Sequence, residues 1–291
     1  MLLVTPFFRT YFTVLAFVLG TVFASFLGCM GWRMCKGESV LKGRSHCDSC
    51  GHALQARDLI PILSYLLNKG RCRHCGAPIS KINLIGEVTM GLLFALFAYA
   101  NNGIFYLLLD LFFICILYLV TVTDLCDQII PDGAIIVAIL VKVIHSIVAW
   151  HFGWFGSVVY IEKPALLEVL GKLLVNGLSV SLPLLFLTLL MEKLWKKEAM
   201  GGGDIKLIFV TGLYLGWAKN LLMILVACIV GIVVGSIQMR AATPTDETTE
   251  VSEETEEVEG NYFPFGPSIA IATVFCMIFG NMILNWYLSL F

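Results

Sequence analysis

Eight apolar runs set the terms on which this chain can fold: 7–31, 83–101, 103–123, 133–151, 168–191, 205–218, 220–239 and 264–290. Most approach the ~20 residues an α-helix needs to cross a ~30 Å hydrocarbon core. Lipid offers the backbone no hydrogen bonds, so a spanning segment has to satisfy its own, and runs of this length do so as helices. The run after Asp204 is short and the break at Gly216–Lys219 is narrow. Eight helices are expected, or seven if that pair is one. The composition agrees: 58% hydrophobic and 14% charged residues, against about half and a quarter in soluble domains. The expected class is an all-α polytopic membrane protein.

Orientation follows from lysine and arginine. The segment from Trp32 to Ile82 holds nine of them against three acids, which places it in the cytoplasm. Alternating from there, the loops near 124–132, 192–204 and 240–263 also fall inside, and the second carries Lys193, Lys196 and Lys197. The loop at 152–167 falls outside with one lysine. The expected organisation is a first transmembrane helix over 1–31, a cytoplasmic loop over 32–82 and a membrane domain over 83–291 containing an acidic loop, 241–262. Arg9, the apolar stretch and "FAS" would permit a cleaved signal peptide, and "SFLGC" faintly resembles a lipoprotein site. Cleavage would put the basic segment outside, so a retained helix is expected.

Inside that segment stand two copies of C-x-x-C-G, Cys47/Cys50 and Cys72/Cys75, separated by twenty-one residues. Tetrahedral zinc takes four soft ligands, and each turn offers two thiolates to one point. Arg44, Arg71 and Arg73 would offset the charge of such a centre. A structural zinc site is expected, because four protein ligands leave no open position. A dithiol redox pair and disulfides are the alternatives; a reducing cytoplasm disfavours disulfides. His46, His52 and His74 read as surface residues. Cys29, Cys35, Cys115, Cys126, Cys228 and Cys276 fit no pattern and read mostly as small apolar side chains.

Carboxylates in or beside spans are costly and default to functional candidates. Here they are Glu87, Asp110, Asp124, Asp127, Asp132 and Asp204. The expected topology puts Asp124 at the cytoplasmic end of the third span and Asp204 at the cytoplasmic start of the sixth. Two aspartates at one depth could share a proton, hold a water and hydrolyse an amide, with titration belonging to the pair. Gly201, Gly202 and Gly203 would allow close approach of a backbone beside Asp204. The bland alternative makes Asp204 a helix N-cap and Asp124 a span-ending residue.

"MGGGDIKL" resembles the G-x-G-D-x-K element of the type IV prepilin peptidases (prepilin leader peptidase/N-methyltransferases), a family of polytopic aspartic proteases. "TDLCDQIIPD" resembles the family's D-x-x-x-x-x-I-P-D segment, with Asp124 at the catalytic position. "RSHCDSCGHAL" and "DLIPILSYLLNKGRCRHCGAPIS" resemble its zinc-bearing loop, Glu87 falls where the family has a glutamate, and "FPFGPSIA" resembles its F-G-P element. These stretches lie in order over residues 25 to 268. The family's G-S-F-x-N-V-x-x-x-R start is "ASFLGCMGWR" here. Ser25, Phe26 and Arg33 match, whereas Gly28 replaces the asparagine and Ala24 the first glycine.

The resemblance implies catalysis by Asp124 and Asp204, with Gly201, Gly203, Lys206, Arg33 and Glu87 in support. It implies prepilin-like precursors with a basic leader as substrates and zinc in the loop, which would be associated with methylation. The new N-terminus, typically phenylalanine, would be methylated from S-adenosylmethionine. It further implies a bacterial cytoplasmic membrane, with the active site on the cytoplasmic side and no nucleic-acid partner. A peptidase lacking the methyltransferase, and an ion-coupled transporter or channel, are the alternatives. The segment Thr243–Gly260 holds eight acids and no base; it reads as a disordered solvated loop, or as an attractor for a basic leader.

Overall fold

A computed structural model describes residues 6–40, 43–101, 103–153, 164–196, 200–241 and 264–290. The acidic segment 243–260, Lys163 and Lys197 lie outside the described residues. The described secondary structure is helical: α1 (Pro6–Cys35), α2 (Leu63–Leu67), α3 (Lys81–Ala100), α4 (Ile104–Asp127), α5 (Asp132–Phe152), α6 (Leu166–Trp195), α7 (Gly202–Leu215), α8 (Trp217–Ala241) and α9 (Gly266–Leu288). Seven of these are long and apolar enough to cross a membrane, and α7 is the expected short one. At 14 residues it rises only ~21 Å. The expected loop at 32–82 is trimmed at its start, because α1 continues to Cys35.

Two compact units divide the chain at Leu170/Gly171. In the first, α1 packs along α3 and α4 through glycines. A Cβ on Gly20 would stand 2.6 Å from the Met90 carbonyl oxygen, and one on Gly91 would stand 2.8 Å from the Thr21 methyl. Without a hydrophobic force between helices in lipid, such small residues let backbones approach until dispersion holds them. Outward-facing Leu108, Ile136 and Phe7 are exposed, as lipid-facing side chains should be.

The second unit is built around α7. A Cβ on Gly212 would meet the Asn176 carbonyl oxygen of α6 at 2.6 Å and the Gly177 Cα at 3.0 Å. Leu207, Ile208, Val210, Thr211, Leu213 and Leu215 of α7 are buried. Protein, rather than lipid, therefore surrounds this helix, which is why it need not match the bilayer. Gly216, at φ +82°, turns the chain straight into α8. Phe265, at the "FPFGP" element, seats on α8, where a Cβ at Gly231 would stand 3.1 Å from its ring.

Candidate active site and metal centre

The cysteine module is two near-identical turns. In the first, Gly51 N–H donates to the Cys47 carbonyl at 2.8 Å and Cys47 N–H to the His52 carbonyl at 3.0 Å. In the second, Gly76 N–H donates to the Cys72 carbonyl at 2.9 Å and Cys72 N–H to the Ala77 carbonyl at 2.8 Å. Gly51 and Gly76 take φ of +68° and +72°, a left-handed conformation that glycine adopts without strain. The backbone N–H groups of Cys75 and His74 hold the Cys72 thiol down to about 7.

The four sulfurs of Cys47, Cys50, Cys72 and Cys75 lie within 4.8 Å of one another, with Cys47 and Cys75 at 3.9 Å. Ligands at the Zn–S distance of ~2.3 Å in a tetrahedron are ~3.8 Å apart, so the cluster fits a metal of that kind. His52 and His74 stack on each other with centroids 3.6 Å apart. Arg73 is engaged by Asp58 at 3.5 Å and by Asn68 at 3.3 Å, a local tie that the expected charge-offsetting role did not include. The module rests on the end of α1: Lys36 reaches Asp48 at 3.5 Å, Cys29 lies 3.7 Å from the Ser45 hydroxyl, and Gly43 lies against the Arg33 guanidinium.

In the same unit, Asp124 sits in the last turn of α4 and is only 5% exposed. Gln128, at φ 54°, caps the helix by donating its N–H to the Asp124 carbonyl at 3.0 Å. Asp127 ends α4 and Asp132 begins α5 behind Pro131; both side chains are exposed. Asp110, further up α4, accepts a hydrogen bond from Asn101 at 3.4 Å. Glu87, on α3, accepts the Ile62 N–H at 2.7 Å.

In the second unit Asp204 occupies the third position of α7. The N-cap is Gly201, not Asp204 as the bland alternative had it. A Cβ on Gly201 would stand 3.4 Å from Asp204 Oδ2, and one on Gly202 would meet nothing within 4 Å. The carboxylate therefore folds back toward the helix start, where unpaired N–H groups favour negative charge. None of the three glycines takes a positive φ. Their contribution is the absence of a side chain. Lys206 is exposed one turn into the helix.

Sequence reasoning missed a lock between α7 and α8. Asn220, fully buried, donates its Nδ2 hydrogen to the Ile208 carbonyl at 3.2 Å and lies 2.8 Å from the Thr211 hydroxyl through its Oδ1. A lone asparagine in the run at 220–239 was the available signal.

Residues 18–101 match the family described as bacterial peptidase A24 N-terminal domain, and residues 111–236 match the type IV leader peptidase family. A curated relative from Bacillus subtilis (strain 168), a prepilin leader peptidase/N-methyltransferase, is 27% identical over 94% of this chain and 97% of its own. Relatives of the same description from Myxococcus xanthus (strain DK1622) and Aeromonas salmonicida (strain A449) are 29% and 28% identical. They align with 84% and 86% of this chain, and with 69% and 76% of their own lengths. No solved structure matches the chain.

Proposed function

The chain belongs to the type IV leader peptidase family, and from that premise we propose how it works. It is a multi-pass membrane enzyme that removes the leader from prepilin-like precursors and N-methylates the residue exposed by the cut. In our reading it resides in the bacterial cytoplasmic membrane with its reactive groups on the cytoplasmic side, where a charged leader stays in water while the substrate's apolar helix lies in lipid.

Asp124 and Asp204 are the proposed catalytic pair. The observation that carries this is the placement of Asp204 at the start of α7, a helix too short to span yet largely buried from Leu207 to Leu215. Such a helix serves to hold its first turn, not to anchor the chain. With one proton shared between the carboxylates, one takes a proton from a water that adds to the scissile carbonyl. The other gives its proton to the departing amine. Neither step needs a metal.

The bare backbone at Gly201 and Gly203 leaves room for an extended substrate strand beside Asp204. Lys206 and Arg33 add positive charge near the cytoplasmic face. The proposed domains are the first helix, the methylation-associated loop with a structural zinc held by Cys47, Cys50, Cys72 and Cys75, and the peptidase domain. S-adenosylmethionine would supply the methyl group as a sulfonium leaving as a neutral thioether. Co-expressing a prepilin with the wild type and with Asp204→Asn tests the reading. A mature, methylated N-terminus with the first and uncut precursor with the second is the expected result.

A further inference from the structure

Glu87 is a carboxylate the cleavage chemistry leaves unused. It lies on α3 about 9 Å along the helix from Lys81, where the chain enters the membrane. Its Oε2 accepts the Ile62 N–H at 2.7 Å, and the Ser25 hydroxyl of α1 also hydrogen-bonds to it. A carboxylate offers about four acceptor positions, so these two donors leave room. Among the described residues no lysine, arginine or histidine forms an ion pair with it. A carboxylate at the membrane border without a cation is expensive and marks a functional site by default.

The surroundings are shaped around it. Ile62 takes φ 60° and ψ −54°, while Leu63 donates its N–H to the Pro61 carbonyl at 2.6 Å. This is a three-residue turn that a β-branched residue enters only under strain, and such strain collects at ligand clamps. The turn aims the Ile62 N–H at Glu87. On the other side the Tyr118 hydroxyl of α4 fills the space left by Gly28 and Gly86. A Cβ on Gly28 would stand 3.4 Å from it, and one on Gly86 would collide with it. Among the described residues, Tyr118 is near enough to feel the Glu87 charge.

We propose that Glu87 binds the α-ammonium of the cleaved substrate's new N-terminus and takes its proton before methylation. This rests on the methyltransferase reading above. An α-ammonium, with a pKa near ~8, has no lone pair and cannot accept a methyl group. Proton transfer turns ammonium and carboxylate into free amine and carboxylic acid. The amine nitrogen then forms the N–CH₃ bond as the donor's S–CH₃ bond breaks with its electrons left on sulfur. The product is an N-methylammonium, and Glu87 returns its proton to water. Ser25 and the Ile62 N–H orient the carboxylate for this.

The test uses the full-length protein in detergent and a peptide beginning with phenylalanine, with a free or an acetylated α-amine, in the absence of any methyl donor. The wild type should bind the free-amine peptide about tenfold more tightly, the worth of one charge-assisted hydrogen bond. Glu87→Gln, with its zinc content intact, should bind both peptides alike. Methyl transfer to pre-cleaved substrate should fall about a hundredfold in this variant at low pH. The deficit should shrink above pH ~8, where the amine is already neutral.

The sulfonium donor is also a cation, and its KM should not change. An equal affinity of the wild type for both peptides, a preference that survives Glu87→Gln, a raised donor KM or a pH-independent deficit would each overturn the proposal. If Glu87→Gln loses its zinc, Ser25→Ala replaces it and should weaken the preference several-fold; an unchanged preference there overturns the proposal too. Should the wild type transfer no methyl group at all, the methyltransferase reading fails, while the peptide preference still decides what Glu87 binds.

Discussion

Asn220 of α8 donates to the Ile208 carbonyl of α7 at 3.2 Å, one helical turn beyond Asp204. Together with the Thr211 hydroxyl, it fixes the rotation of the short helix about its axis. Residues 204, 208 and 211 share one face at helical spacing, so the lock and the carboxylate turn together.

Asn220→Leu should therefore cost both stability and cleavage. It removes both hydrogen bonds between the helices, a loss of about 1–3 kcal/mol, while the Thr211 hydroxyl keeps its bond to the Ile208 carbonyl at 2.9 Å. Thermal unfolding in detergent should show a lower midpoint, and leader cleavage should fall by about tenfold through kcat. Thr211→Val should be milder, because Asn220 keeps its bond to Ile208. Full activity in Asn220→Leu would remove the lock from the account.

Two glycines of α7 should answer differently to alanine. At Gly212 the new methyl would press on the Asn176 backbone at 2.6 Å and force α6 and α7 apart, for about 1–3 kcal/mol. At Gly202 the methyl meets open space, and alanine there should hold or slightly raise stability, since glycine is the poorer helix former. Paired melting curves of the two variants check the contrast.

Zinc should be present at about one per chain and tightly held, as a closed four-thiolate centre implies. Binding requires the thiolates, so protons compete with the metal. Retention against a chelator should be firm at alkaline pH and weaken as pH falls, because protons compete with the metal for all four thiolates. Cys47→Ser should release the metal and loosen the loop. Metal analysis across pH, with a count of reactive thiols, measures this directly.

The spans were legible because length and apolarity alone decide what lipid accepts; even the shortness of α7 showed in the run after Asp204. The cysteine cluster was legible too, since two C-x-x-C-G turns restrict their sulfurs to few arrangements. Other features were chosen by tertiary packing. Nothing local marks Ile62 for a positive φ, a conformation its own side chain opposes. Nothing near Asn220 says that its partner is a carbonyl twelve residues earlier. The helix that carries Asp204 was visible as glycines before an apolar run, but that Gly201 caps it came only from the backbone.

The most direct measurement is the N-terminal sequence of a prepilin co-expressed with the wild type, Asp124→Asn or Asp204→Asn, each confirmed to be folded by its thermal unfolding in detergent. A mature N-terminus is expected with the wild type and intact leader with either asparagine variant, because each keeps the shape of the carboxylate and abolishes the shared proton. Mature pilin at near wild-type yield from either variant would contradict it.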